Sequence, residues 1–154
     1  MLVNFHTIPE CSRIWIYSSD LVLTDKQEAY ILESISIHLQ SWEAHKKPLT
    51  AGVTILEGHF IVVALDESKN EASGCSIDAL QHKIQEIEKE LSVSLMNRLN
   101  VFCRVDSKIH CIPAFKLKNT VKPTTLFYDL TIKNKMDLNY YLKPISEGWC
   151  ARFL

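Results

Sequence analysis

The chain is poor in the residues that build loops, with 4 glycines and 5 prolines in 154 residues. It has no repeat, low-complexity tract or Gly/Ser/Pro-rich linker. Short connections within a single domain over residues 1–154 are therefore expected. The chain also has no excess of either charge: 17 basic residues against 18 acidic ones leave a net charge of -1. A general nucleic-acid binder carries a basic excess, so no nucleic-acid partner is expected. Lys46-Lys47 is the one obvious basic doublet of the first half. No stretch approaches the roughly 18 apolar residues of a membrane-spanning helix. The opening Met1-Leu-Val-Asn-Phe-His-Thr-Ile-Pro-Glu10 lacks the basic start and apolar run of a signal peptide. The five cysteines, Cys11, Cys75, Cys103, Cys111 and Cys150, are odd in number and form no Cys-x-x-Cys pair. That favours reduced thiols in the cytoplasm over a secreted disulfide framework.

Several chemical motifs are absent as well. There is no Gly-x-x-x-x-Gly-Lys-Ser/Thr phosphate loop, no Gly-x-Gly-x-x-Gly and no Gly-x-Ser-x-Gly. His-x-x-x-His and His-Glu-x-x-His are also missing. No cofactor and no metal are expected.

What is present is an ordinary globular composition, 47% hydrophobic and 23% charged. Arg13-Ile-Trp-Ile-Tyr17 alternates and is rich in β-formers, so it reads as a strand. Thr24-Asp-Lys-Gln27 is a capping box. It should open a helix that runs to about residue 44, with Ile31, Ile35, Leu39 and Trp42 as its apolar stripe. Leu49 to Leu56 and Phe60 to Leu65 read as a hairpin turned at Glu57-Gly58, and the second run is apolar enough for a central strand. A second helix carries Ile77, Leu80, Ile84, Ile87 and Leu91 at steps of three and four. Leu99 to Val105 and Ile109 to Ile112 predict another hairpin. A three-residue turn at Asp106-Ser-Lys108 would set Cys103 facing Cys111. A strand over Thr125 to Ile132, a helix near Lys135 to Leu142 and a docked aromatic tail complete the reading.

The first hundred residues thus run β-α-β-β-α-β. The fold class expected is α+β: a ferredoxin-like βαββαβ antiparallel sheet with both helices on one face, plus a C-terminal strand and helix extension.

One stretch stands out for chemistry, Glu71-Ala-Ser-Gly-Cys-Ser-Ile-Asp78, which leads from the loop after the central strand into the second helix. The first N–H groups of a helix lack internal partners, and the dipole adds partial positive charge. A thiol there, Cys75, would have its thiolate stabilised. Gly74 lets backbone approach a bound group, and Ser73 and Ser76 offer hydroxyls. The plainer alternative makes Ser76 an N-cap, Asp78 a first-turn acid and Cys75 a small residue at the join. His38, Trp42 and His45 would share one face of the first helix. His45 could serve Cys75 as a general base, or simply suit a helix C-terminus. Asp66-Glu67, after the central strand, could bind a metal or orient a His, or merely solvate a loop.

Four stretches together resemble an uncharacterised family of small bacterial proteins. They are Arg13-Ile-Trp-Ile-Tyr17; Trp42-Glu-Ala-His45 leading into Pro48-Leu49; Asp66-Glu67 with Ala72-Ser-Gly-Cys-Ser-Ile-Asp78; and Trp149 with Arg152-Phe-Leu154. Members of that family often carry the name "ABC transporter ATPase". Lys46-Lys47 departs from the small residue that the resemblance implies after His45. The resemblance lends weight to these positions and implies no activity by itself.

Two functions are therefore expected to compete. One is a domain that binds a small ligand or a protein partner at the loop before the second helix. Its residues would be Ser73, Gly74, Ser76, Asp78, Trp42 and Asp66. The other is a cysteine-dependent enzyme with Cys75 as nucleophile and His45 as base.

Overall fold

In the computed structural model, which describes residues 1–154, the alternating run becomes strand β1, Arg13–Ser18. Helix α1, Asp25–Gln40, opens on the expected capping box. The Thr24 hydroxyl accepts from the Gln27 N–H at 3.1 Å, and the Gln27 side chain accepts from the Thr24 N–H at 2.9 Å. The helix stops at Gln40 rather than near residue 44. Strands β2, Glu43–Ala44, and β3, Lys47–Pro48, form a two-stranded antiparallel ribbon instead. Its turn residues His45 and Lys46 both have positive φ, 51° and 65°. That is the backbone of a type I′ turn, which usually announces itself with Asn or Gly. Neither is present, so the sequence gives no warning of it.

Strands β4, Thr50–Leu56, and β5, Phe60–Asp66, form the expected hairpin, with Glu57 and Gly58 both at positive φ. Strand β5 is central: it pairs antiparallel with β1 and with β4, in the order β1-β5-β4. All seven of its residues are buried. Helix α2 spans Gly74–Leu91. One core joins Ile31, Ile35 and Leu39 of α1, Leu80, Ile84 and Ile87 of α2, and Ile61, Val63 and Leu65 of β5. Alternate strand residues share a face, so both helices cover the same side of this sheet. Each such side chain stabilises the fold by about 1.5–3 kcal/mol on burial.

The expected fourth strand does not join that sheet. The outer edge of β1 is bonded by other segments. Its Ile14 N–H donates to the Lys133 carbonyl at 2.9 Å, the Lys135 N–H donates to the Ser12 carbonyl at 2.9 Å, and Arg13 forms an antiparallel bridge with Asn134. At its other end the Ser18 N–H donates to the Leu95 carbonyl at 3.0 Å. These contacts occupy the edge where a fourth strand would pair. Strand β6, Asn100–Val105, pairs with β7, Lys108–Pro113, and with β8, Leu126–Tyr128; β8 pairs with β9, Leu142–Pro144. They form a separate antiparallel sheet in the order β7-β6-β8-β9. The chain is α+β with antiparallel sheets, without the complete ferredoxin-like order.

Two compact units result, Met1–Met96 with Lys133–Met136, and Asn97–Ile132 with Asp137–Leu154. No glycine or proline marks the passage between them at residues 96–97. The second unit has its own core, including Val101, Cys103, Leu117, Phe127, Ile145 and Cys150. Its hairpin corrects the expected register. Asp106 and Ser107, at φ 53° and 62°, make a two-residue turn. Cys103 stands opposite His110, and Phe102 opposite Cys111. One residue less in the turn moves Cys111 to the other face. The expected strand over residues 125–132 shortens to β8, because the Asp129 carboxylate accepts from the Thr131 N–H and hydroxyl and turns the chain. The helix expected near 135–142 is a 3₁₀ stretch, Lys135–Tyr140. No helix is long and apolar enough to cross a membrane.

Candidate functional site

Helix α2 begins one capping motif earlier than expected. Ser73, not Ser76, is the N-cap. The Ser73 hydroxyl accepts from the Ser76 N–H at 3.1 Å. In return the Ser76 hydroxyl accepts from the Ser73 N–H and donates to the Ser73 carbonyl, both at 2.8 Å. Ser76 thus performs the N3 duty that Glu or Gln usually performs in a capping box. Its hydroxyl proton is committed inside the turn and is not available to an anionic ligand. The Trp42 indole N–H donates to the Ser76 carbonyl at 2.8 Å. Trp42 is buried, with its ring edge-on to Trp15 at 5.9 Å and tilted against His38 at 6.2 Å. It fixes the first turn of α2 from behind and is not among the groove-lining residues.

Gly74 and Cys75 are the first two helical residues, so geometry leaves their N–H groups without helical acceptors. Both residues are exposed. A Cβ built on Gly74 meets nothing within 4 Å. Neither neighbouring backbone nor packing requires glycine there, and the missing side chain simply leaves open space beside the free N–H groups.

That open space is a groove of about 620 Å³ lined by Ser73, Gly74, Cys75, Ser76 and Ala79 of the helix start and by Glu43, His45 and Lys46 of the ribbon. The type I′ turn between β2 and β3 carries His45 and Lys46 to the second helix. Five of the eight residues expected to matter, His45, Ser73, Gly74, Cys75 and Ser76, therefore line one groove. The other three do not. Trp42 lies behind the turn. Asp78 is the fifth residue of α2, beyond the first turn, and no acid occupies that first turn. Asp66 lines a different concavity, with Arg13 and Lys133.

Glu43, Ala79 and Lys46 line the groove without an assignment from the sequence, and of the three Lys46 brings the positive charge. Its signal was there as the basic doublet of the first half, but a doublet does not say which way a turn will point it. No group of three or more His, Cys, Asp or Glu side chains is placed to hold a metal ion. No disulfide joins any of the five cysteines. Comparison with protein-family models, with curated proteins and with solved structures finds no match to this chain.

Proposed function

We propose that the chain is a cytoplasmic binding domain whose groove at the start of α2 takes a small ligand, or a protein segment, through an anionic group. The observation that carries this reading is the meeting in one groove of the unbonded Gly74 and Cys75 N–H groups with Lys46 and His45. Oriented N–H donors and the positive end of the helix dipole favour an anion there. Lys46 adds a full charge from a separate element. The Ser73 hydroxyl, which accepts only one bond within the turn, can still donate. Glu43, which also lines the groove, opposes added negative charge and favours a ligand with a single anionic group.

The test is calorimetric titration with inorganic phosphate and with acetate, propionate and succinate. Binding that Lys46→Glu weakens, and that Gly74→Ala weakens by crowding the two N–H groups, supports the reading. Equal affinity in all three proteins refutes it.

A second reading rests on one specific observation: Cys75 is exposed and shares its groove with His45. A thiol at a helix N-terminus with an imidazole at hand suits nucleophilic chemistry. Iodoacetamide labelling of the native protein against pH, read by peptide mapping, separates the two. Rapid Cys75 labelling with an apparent pKa well below about 8.5, shifted by His45→Gln, favours the enzyme. Labelling with an ordinary thiol profile, unmoved by His45→Gln, leaves the binding domain. Neither reading gives the chain a phosphate loop, so magnesium-dependent ATP turnover is not expected from it.

A further inference from the structure

The near-zero charge of the whole chain conceals a division. The unit of residues 1–96 with 133–136 carries 9 basic and 14 acidic residues, a net of -5. The unit of residues 97–132 with 137–154 carries 8 basic and 4 acidic ones, a net of +4. Residues 107–128 of that second unit contain no aspartate or glutamate, and they hold Lys108, Lys116, Lys118 and Lys122.

Three of these lysines stand on one loop. Pro113 ends β7, and the Leu117 N–H donates to the Ala114 carbonyl at 3.2 Å. The Thr120 and Val121 N–H groups donate to the Leu117 carbonyl at 3.0 and 3.2 Å. Two successive tight turns result. Ala114, Leu117 and Val121, at steps of three and four, pack into the core of this unit. Every residue between them is exposed, and so is Lys122. The loop therefore has one inward side, and Phe115, Lys116, Lys118 and Lys122 project from the other. Phe115 is 78% exposed, more than any other large hydrophobic side chain of the protein. Its buried neighbours Ala114 and Leu117 fix the backbone that holds it out. The Lys116 ammonium lies 5.8 Å from the Phe115 ring centroid, and none of the three lysines is ion-paired.

An aromatic ring held outward among unpaired cations fits a partner that is apolar beneath an anionic surface. A nucleic-acid strand calls for stacking platforms under successive bases, and Phe115 is the only Phe, Tyr or Trp in residues 103–126. A bilayer calls for a single protruding face. The ring enters the interface, and the long lysine side chains reach the headgroups around it.

We propose that the loop of residues 114–122 docks on an anionic lipid bilayer, with Phe115 inserted at the interface and Lys116, Lys118 and Lys122 on the headgroup phosphates. One ring and three charges make the attachment weak and reversible. It is separate from the groove at α2 and does not depend on that groove's function.

Co-sedimentation of the full chain with vesicles of equimolar phosphatidylcholine and phosphatidylglycerol tests it, beside vesicles of phosphatidylcholine alone. The chain should bind the mixed vesicles at least about tenfold more tightly, and high salt should remove most of that difference. The triple variant Lys116→Gln/Lys118→Gln/Lys122→Gln should weaken binding at least about tenfold, since each charge near such a surface is worth about fivefold. Phe115→Ser should also weaken it at least about tenfold through lost apolar burial, and Phe115→Leu should keep most of it. All four residues are exposed, so these variants should unfold at the wild-type temperature. Gly74→Ala should leave vesicle binding unchanged, and a single-stranded oligonucleotide of mixed sequence should not displace the chain from the mixed vesicles. No binding to the mixed vesicles overturns the proposal, as does equal binding to phosphatidylcholine alone, binding that survives the triple variant or Phe115→Ser, or displacement by the oligonucleotide.

Discussion

Gly74 and Gly148 look alike in the sequence and are opposites in the structure. At Gly74 an added Cβ enters open space. Gly74→Ala should therefore be neutral, or stabilise the start of α2 by up to about 1 kcal/mol. At Gly148 an added Cβ would run into the Phe127 ring in the core of the second unit. Gly148→Ala should destabilise by about 1–3 kcal/mol or more, because the aromatic ring must move. Thermal melts of the two variants check both; equal melting temperatures would contradict the packing described. The cysteines divide in the same way. Cys103 and Cys150 are fully buried. Burial first, and neighbouring Cys150 and Cys111 next, push the Cys103 thiol up to about 11. Burial raises the Cys150 thiol as well. Neither should react with iodoacetamide in the native protein at neutral pH, whereas exposed Cys11 and Cys75 should; native-state modification of Cys103 would show that the second core opens readily. At this scale the sequence identified Cys75, His45 and the Ser73–Ser76 turn as the residues with chemistry to offer. It could not divide the labour between two serines three apart, since either can accept a helix N–H. The structure gives the cap to Ser73 and the reciprocal bond to Ser76.

Helix ends decide how the elements meet. The capping box of α1 was legible because Thr and Gln at that spacing have few other uses. Its C-terminus was not, because Trp42 and His45 continue the steps of four and three from His38 while no glycine or proline interrupts them before Pro48. The ribbon wins because Trp42, just past the helix, buries its ring and bonds the Ser76 carbonyl. Ser73→Ala should cost about 1 kcal/mol of stability, within a range of about 0.5–2, read from the urea midpoint; no change would mean that the turn is held by Trp42 alone. His38 in the last turn of α1 makes the contact between the helices sensitive to acid. Burial lowers its pKa, Lys83 of α2 lowers it further, and Glu86 partly offsets them. Its Nε2 is buried without a partner. The folded state thus holds a proton on His38 less readily than the unfolded chain, whose imidazole titrates near about 6.5. Unfolding takes up protons in that window, so stability should fall as pH drops below about 6.5. His38→Gln should flatten this slope between about pH 5 and 7. A slope unchanged by the substitution would assign it to another group.

For the whole molecule, local pattern carried further than pairing. Strands β1, β4, β5, β6 and β7, both main helices and their shared face follow from hydrophobic spacing, whereas the β2–β3 ribbon and β9 do not. Which strand joins which sheet does not, because Asn100–Val105 is compatible with either sheet until residues 133–134 bond the edge of β1. That contact joins residues about 120 apart in sequence, and no local signal encodes it. The groove was legible in part for the same reason. Its helix half lies in one contiguous stretch, Ser73-Gly-Cys-Ser76, while its other half arrives on a turn that lacks the usual turn residues. The most direct test of anion binding at the start of α2 is backbone-amide NMR mapping of the ¹⁵N-labelled protein during titration with inorganic phosphate and with acetate. The largest saturable shifts should fall on the amides of Gly74 and Cys75, with smaller ones over residues 43–46, and Lys46→Glu should abolish them. Saturable shifts centred elsewhere, with Gly74 and Cys75 unmoved, would contradict it.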